Sequence, residues 1–93
     1  MYFILFYDYV DNIIEKRAPF RKSHLALLNE YASRGEVVLC GAFANPLDRS
    51  ATVFKVETKS IIEAFVEKDP YVINGLIANW QIREWAVFEG LGL

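Results

Sequence analysis

The residues best suited to chemistry in this sequence lie along one predicted helix. Arg17, Arg21 and His24 follow one another at spacings of four and three residues, so they share a face of that helix. Phe20 and Leu28 lie on the same face, which therefore points toward a core. Burying a polar group without a partner costs about 1–3 kcal/mol, and more for a charge. The polar members of this face are therefore predicted either to line a pocket or to form ion pairs at the rim of the core.

His24 is the only histidine in the chain and the main candidate for acid/base chemistry. Histidine is the side chain that exchanges a proton most readily between about pH 5 and pH 8. A carboxylate bonded to one ring nitrogen would fix the tautomer and leave the other nitrogen facing a substrate. The alternative is a histidine that hydrogen-bonds a carbonyl group of the core.

Asp69 is the candidate for orienting His24, because Pro70 follows it and fixes the local backbone. The alternative is a turn-forming aspartate that accepts its own downstream N–H. Arg17 and Arg21 are candidates for binding an anionic oxygen of a small substrate, which suits their planar guanidinium groups. The alternative for both is ion pairing with a partner chain or with Asp8, Asp11 or Glu15.

Aromatic residues provide a second set of candidates: Tyr7, Tyr9, Phe43, Tyr71, Trp80 and Trp85. They either form an aromatic pocket, in which Tyr71 would contact the substrate, or belong to the core or to a subunit interface. Asp48 either caps such a pocket or only forms a turn. Cys40, the single cysteine, lies in an apolar run and is predicted to be a buried, inert thiol.

No metal and no organic cofactor are predicted. One histidine and one cysteine, without H-x-H or E-x-x-H spacing, do not make a zinc or iron triad. The sequence also has no glycine-rich phosphate loop and no G-x-S-x-G elbow. Haem bound through His24 is the disfavoured alternative.

The composition predicts one domain over residues 1–93 with more apolar surface than its own core can bury. Hydrophobic residues make up 54% of the chain, against about 45–50% in typical soluble domains. This excess predicts a second apolar face that is closed by another copy of the chain.

The net charge of −2 provides no basic patch for nucleic acid. The apolar start of the chain has no basic flank and is too short to span a membrane, so a cytoplasmic location is predicted.

Hydrophobic periodicity predicts the element order β-α-β-β-α-β. The predicted strands are Tyr2–Tyr7, Val37–Ala44, Ala51–Val56 and a fourth that begins at Leu76. The predicted helical segments are a turn over Ile13–Arg17, a main helix from Pro19 to Arg34-Gly35, and a helix with a Ser60/Glu63 capping box that ends at Asp69-Pro70. Gly41 is expected at a bulge or a close approach. A parity change indicates a bulge near Arg83-Glu84 or a change of covering partner, and the tail Gly90–Leu93 is expected to fray.

This order predicts an α+β, ferredoxin-like fold with two helices on one face of an antiparallel sheet. The opposite face, with Tyr2–Tyr7, Trp80 and Trp85, is too apolar to be left in water. We therefore expect a homodimer in which two sheets pack face to face and close toward a barrel.

Three motifs resemble those of a known family, the YCII-related (YciI-like) proteins. The first is Arg17, Arg21, His24 and Leu25 in the spacing R-x-x-x-R-x-x-H-L; the second is Gly35 with Gly41; the third is Asp69-Pro70-Tyr71-Val72 with Gly75. The sequence departs from the family pattern at Lys22 and Ala42, where proline is common.

The resemblance implies a dimeric α+β barrel and an active site built on a histidine and an aspartate, which correspond to His24 and Asp69. Relatives with an assigned reaction include an enzyme that removes chloride from a chlorinated hydroxyquinol ring. We therefore expect a small cofactor-free enzyme that carries out elimination, isomerisation or dehalogenation of a small anion. The alternative is a non-catalytic dimer that binds a small ligand or a partner protein.

Overall fold

Four strands form one antiparallel sheet in the computed structural model, which describes residues 1–88. The strands are β1 (Tyr2–Tyr9), β2 (Val37–Ala42), β3 (Arg49–Lys55) and β4 (Ile77–Trp85), and their order across the sheet is β2-β3-β1-β4. All three pairings are antiparallel. This order, with the helices between the strands, confirms the predicted α+β, ferredoxin-like fold.

The helical segments are α1 (Ile13–Arg17), a 3₁₀ turn (Ala18–Phe20), α2 (Arg21–Ser33), α3 (Lys59–Lys68) and α4 (Pro70–Ile73). Pro19 lies inside the 3₁₀ turn, because it cannot donate to an α-helical ladder. The main helix consequently begins at Arg21 rather than at Pro19. Gly35 adopts a φ of 76°, which is the left-handed conformation predicted to end this helix.

The core lies between the helices and one face of the sheet. Side chains alternate along β1, so Phe3, Leu5 and Tyr7 are buried beneath the helices. Leu28 of α2 and Phe65 of α3 pack against them in the same cluster. This layer is what brings β1, α2 and the α3–α4 junction close enough for polar side chains from all three to meet.

The other side of the sheet, called the open face here, has no helix on it among residues 1–88. Ile4 and Phe6 lie on it, and strand register places Leu39 and Trp85 on the same side. Leu39 is 69% exposed and Trp85 49% exposed. The register also corrects one prediction: Trp80 is paired with Tyr7 and therefore belongs to the helix-covered side.

Neither predicted bulge is where the sequence placed it. Gly41 pairs regularly with Ala51, and a Cβ atom built on it would meet open space; the irregularity in β2 lies between Val37 and Leu39. Strand β4 pairs with β1 without interruption through Arg83 and Glu84, and its irregularity lies opposite Asp8 and Tyr9. The alternation of apolar residues along one strand cannot locate a bulge, because a bulge depends on pairing with the neighbouring strand.

Two helix boundaries also differ from the prediction. Helix α3 begins one residue before Ser60, with Thr58 at its N-cap, so the predicted capping box does not form. A further short helix, α4, begins at Pro70, with Asp69 at its N-cap. Within residues 1–88, no helix is long and apolar enough to cross a membrane. The tail Gly90–Leu93, which was expected to fray, lies outside the described residues.

Candidate active site

Asp69 is the centre of the polar network. It is 0% exposed and stands at the junction of α3 and α4, where Pro70 holds its backbone in an extended conformation. Its Oδ1 atom accepts the backbone N–H of Tyr71 at 3.0 Å, which caps α4. Its Oδ2 atom accepts the hydroxyl of Tyr7 at 2.7 Å. The carboxylate is therefore held from both sides by donors that belong to the scaffold.

His24 forms the third contact with this carboxylate. Its Nδ1 atom lies 2.7 Å from Asp69 Oδ1, and the residue is 8% exposed. Because an ionised carboxylate only accepts hydrogen bonds, Nδ1 carries the proton in this contact. No other group among residues 1–88 bonds Nε2, so the second ring nitrogen is left to act as a proton acceptor. Asp69 therefore makes the contacts of both alternatives: its carboxylate accepts the Tyr71 N–H two residues downstream, and it bonds His24 Nδ1.

Tyr71 lies flat against His24. The two ring centroids are 3.7 Å apart and the planes differ by 8°, so the tyrosine ring fixes the orientation of the imidazole. Tyr71 is 1% exposed, yet its hydroxyl has no hydrogen-bond partner among residues 1–88. A buried hydroxyl without a partner costs free energy, and such groups in native structures call for an explanation. A ligand that accepts this hydrogen bond would provide one.

Tyr7, His24 and Tyr71 line a cavity of about 170 Å³ between the helices and the β2–β3 side of the sheet. Its helical wall carries Arg17, Arg21, His24 and Tyr71. Its sheet wall carries Tyr7, Tyr9, Cys40, Ser50 and Thr52. None of the residues that line the cavity is acidic, so the site presents positive charge and hydroxyl donors to a ligand.

The tyrosines of the cavity remain neutral donors. Burial, together with the negative charge of Asp69, raises the pKa of Tyr7 far above its usual range. Burial also raises the pKa of Tyr71, although Arg17 and Arg21 partly oppose that rise. Tyr7 and Tyr71 are therefore protonated near neutral pH and available as hydrogen-bond donors.

Within the part of the chain that the structure describes, the two arginines form no ion pair with Asp8, Asp11 or Glu15, which was one part of their alternative interpretation. Among residues 1–88, neither Arg17 nor Arg21 has an acidic partner, and Asp8 binds Arg49 instead, with Nε and Oδ1 2.8 Å apart. Arg17 is half-buried and Arg21 is exposed at the mouth of the cavity. Two guanidinium groups beside an unpartnered hydroxyl form a local arrangement suited to an anion.

For Phe43, Trp80, Trp85 and Asp48 the pocket alternative does not hold, because none of them lines this cavity. The prediction for Cys40 is wrong. Cys40 is not a core residue: it is exposed on β2, and its sulfur lies 3.2 Å from Thr52 Oγ1 at the sheet wall. The sulfur itself is partly covered at this contact, and that burial raises the pKa of the thiol, with Thr52 acting in the opposite direction. No group of three or more metal-ligating side chains occurs within the described part of the chain.

The sequence reasoning did not identify Tyr7 as a partner of Asp69, nor Ser50 and Thr52 as parts of the sheet wall. Residues 2–7 are apolar on both parities, so the pattern could not show that Tyr7 faces the helices. Ser50 and Thr52 do alternate with apolar residues in β3, and that alternation was the available signal.

The fold and the geometry of the site define a class of protein: a ferredoxin-like α+β chain with a histidine–aspartate pair beside a cavity. The family model for the YCII-related domain matches residues 1–86, and the chain belongs to this family. Among curated proteins, none matches it in sequence.

Solved structures with the same fold were found as well. One is 5-chloro-2-hydroxyhydroquinone dehydrochlorinase from Burkholderia phenoliruptrix AC1100, in complex with 2,5-dihydroxybenzoquinone; it is 20% identical, with a TM-score of 0.78 over 91% of this chain and 93% of that one. Another is protein Atu4242 from Agrobacterium tumefaciens, which is 17% identical, with a TM-score of 0.55 over 94% of each chain. At these identities the likeness establishes the fold.

Proposed function

We propose that this chain is a cofactor-free acid/base enzyme acting on a small, one-ring anion. The observation that carries the proposal is the buried His24–Asp69 pair at 2.7 Å, which among residues 1–88 leaves His24 Nε2 unbonded beside a cavity with two arginines that have no acidic partner. The likeness in fold to a dehydrochlorinase also supports the proposal of an acid/base enzyme. A general base needs both an accessible nitrogen and a partner for the charge that it acquires, and both are present.

The cavity volume suits one substituted ring. An apolar cavity of about 150 Å³ is large enough to hold benzene, and this one measures about 170 Å³. We propose that Arg21 and Arg17 bind an ionised oxygen of the ring and that the Tyr71 hydroxyl donates to the same or a neighbouring oxygen. The ring would then lie beside His24 Nε2.

The reaction would consist of proton transfers at one base. Nε2 takes a proton from a ring hydroxyl while Asp69 stabilises the imidazolium that forms. Returning this proton to a ring carbon isomerises the substrate. Where that carbon bears a halogen, Nε2 then takes a second hydroxyl proton while the halide leaves with its bonding electron pair, so one hydrogen halide is lost. The sum is redox-neutral, so no oxidant is needed for either outcome.

The alternative is a dimer that binds an anion without converting it. It uses the same arginines and Tyr71 but gives His24 no chemical role, since a fold does not determine a function. Turnover of a panel of chlorinated and plain hydroxyquinols separates the two. Conversion of any panel member supports the enzyme, whereas binding to the panel without conversion supports the alternative.

Arg21→Gln should weaken binding of hydroxyquinol anions by about tenfold or more, because a charge-assisted hydrogen bond is worth roughly 1.5–3 kcal/mol. Calorimetric titration or the change in KM measures this. Lys22→Gln is the matched control, since it removes a neighbouring exposed charge that does not line the cavity. Equal losses in the two variants, or no loss at Arg21, would contradict the assignment.

We also propose that two copies associate through the open face. Ile4, Phe6, Leu39 and Trp85 supply its apolar surface, and exposed apolar patches of this kind commonly mark interfaces. A two-fold pair would bury this face on both copies at once. The homodimer predicted from composition thus has a specific surface assigned to it.

Ile4→Glu should convert the dimer to single chains, since it places a carboxylate at the centre of the open face. Sedimentation velocity at micromolar concentration measures the change. Ile73→Glu is the control, because Ile73 is 66% exposed on α4, away from the sheet. A wild-type protein that sediments only as single chains would refute the assembly, as would an Ile4→Glu variant that remains a dimer.

A further inference from the structure

The hydrogen bond between Tyr7 and Asp69 does more than satisfy a buried hydroxyl. We infer that Tyr7 is a positioning residue that limits how strongly the His24–Asp69 pair holds a proton. This inference rests on the proposed role of that pair in acid/base chemistry. Tyr7 would be the third member of the network that holds this proton. It lies on strand β1, 62 positions before Asp69 in the sequence.

The first step of the argument is the direction of the hydrogen bond. Tyr7 Oη lies 2.7 Å from Asp69 Oδ2, and both residues are buried. An ionised carboxylate can only accept, so the phenol donates. Burial beside Asp69 raises the pKa of Tyr7, which keeps the phenol protonated under ordinary conditions. Tyr7 is therefore a permanent donor to this carboxylate.

The second step is the effect of this donor on His24. The two oxygens of Asp69 share one negative charge, and each donor stabilises part of it. Oδ2 serves Tyr7 while Oδ1 serves His24 Nδ1 and the Tyr71 N–H. Stabilisation at Oδ2 leaves less charge to attract the proton of the imidazolium at Oδ1. Without Tyr7, the pair should hold a proton more strongly and release it less readily.

Other charged or titratable groups line the same cavity as His24. They are Arg17, Arg21, Tyr9, Cys40 and Tyr71. The substitution Tyr7→Phe keeps all of them, retains the aromatic ring in the core and removes one oxygen atom. The variant therefore isolates the hydrogen bond to Oδ2.

The test is the ¹⁵N NMR titration of the only histidine in the chain, which gives one unambiguous pair of ring-nitrogen signals. Tyr7→Phe should raise the titration midpoint of His24 by about one pH unit, the scale of one charge-assisted hydrogen bond. Tyr31→Phe is the control. It removes the hydroxyl of a buried tyrosine that lies seven residues after His24 on α2, and it should not change the titration midpoint of His24. An unchanged or lowered midpoint in Tyr7→Phe overturns the inference.

A second variant covers the case in which Tyr7→Phe does not fold. Incorporating 3-fluorotyrosine into a Tyr9→Phe, Tyr71→Phe chain makes the Tyr7 phenol a stronger donor and leaves no other fluorinated ring in the cavity. The midpoint should then fall relative to the same double variant without fluorine. A rise, or no change, would refute the role of Tyr7.

These measurements require no substrate. Failure to convert any hydroxyquinol would therefore refute the proposed enzyme and leave the titration result standing. In an active protein, the acidic limb of the kcat–pH profile, which reports the general base, should move with the NMR midpoint in Tyr7→Phe. A merely structural tyrosine would change stability and leave both profiles where they are.

Discussion

Replacing His24 with glutamine should lower kcat by about 10²–10⁴-fold, the usual contribution of a general acid/base. Glutamine can still donate an amide N–H toward Asp69 Oδ1, so the buried carboxylate keeps a partner and the fold is retained. What it lacks is an atom that can accept and release a proton near neutral pH. The measurement is the steady-state rate on whichever hydroxyquinol the wild type converts.

Glu30→Gln is the matched control for this substitution. It lies on the exposed side of the same helix and should keep the wild-type rate. A His24→Gln variant with kcat within about threefold of the wild type would remove His24 from the chemistry, since a general base contributes far more than this. The chain would then be better described as a binding module.

Removing the carboxylate in Asp69→Ala should produce the largest loss of stability of any single substitution at the site. It leaves His24 Nδ1, the Tyr7 hydroxyl and the Tyr71 N–H without their acceptor. Breaking a buried pair in this way typically costs about 3–5 kcal/mol. For a domain of this size, that lowers the melting temperature by roughly 15 °C or more. Thermal and urea unfolding measure the change.

Asp69→Asn separates stability from charge. Its amide oxygen can keep the Tyr71 and His24 contacts at the Oδ1 position, and Tyr7 can rotate its hydroxyl to accept from the amide group. Most of the stability should therefore be retained, while the imidazolium loses its counter-charge and kcat falls. An Asp69→Ala chain as stable as the wild type would show that this network does not hold the fold together.

Local patterns in the sequence were sufficient for the elements and their order. The turn over Ile13–Arg17 and the left-handed Gly35 follow from helix periodicity and from the chemistry of helix ends, which involve neighbours in the chain. The antiparallel sheet followed from the order of elements. The bulge at Val38, assigned instead to Gly41, depends on pairing with β3, and no local pattern reports such pairing.

The site was only partly accessible for the same reason. The helix face carrying Arg17, Arg21 and His24 could be read directly, because its spacing is local. The contacts that give it geometry are not local: His24 and Asp69 are 45 positions apart, and Tyr7 and Asp69 are 62 apart. Tyr71 follows Asp69 by two positions, yet its stacking on His24 depends on the packing of α4 against α2.

Base catalysis by His24 depends on which of its ring nitrogens carries the proton. The most direct measurement is the ¹⁵N spectrum of the neutral imidazole, recorded above the titration midpoint of His24. We expect a protonated Nδ1, bonded to Asp69, and a bare Nε2 toward the cavity. A spectrum in which Nε2 carries the proton would contradict base catalysis by His24, because the ring would then have no free base to offer a substrate.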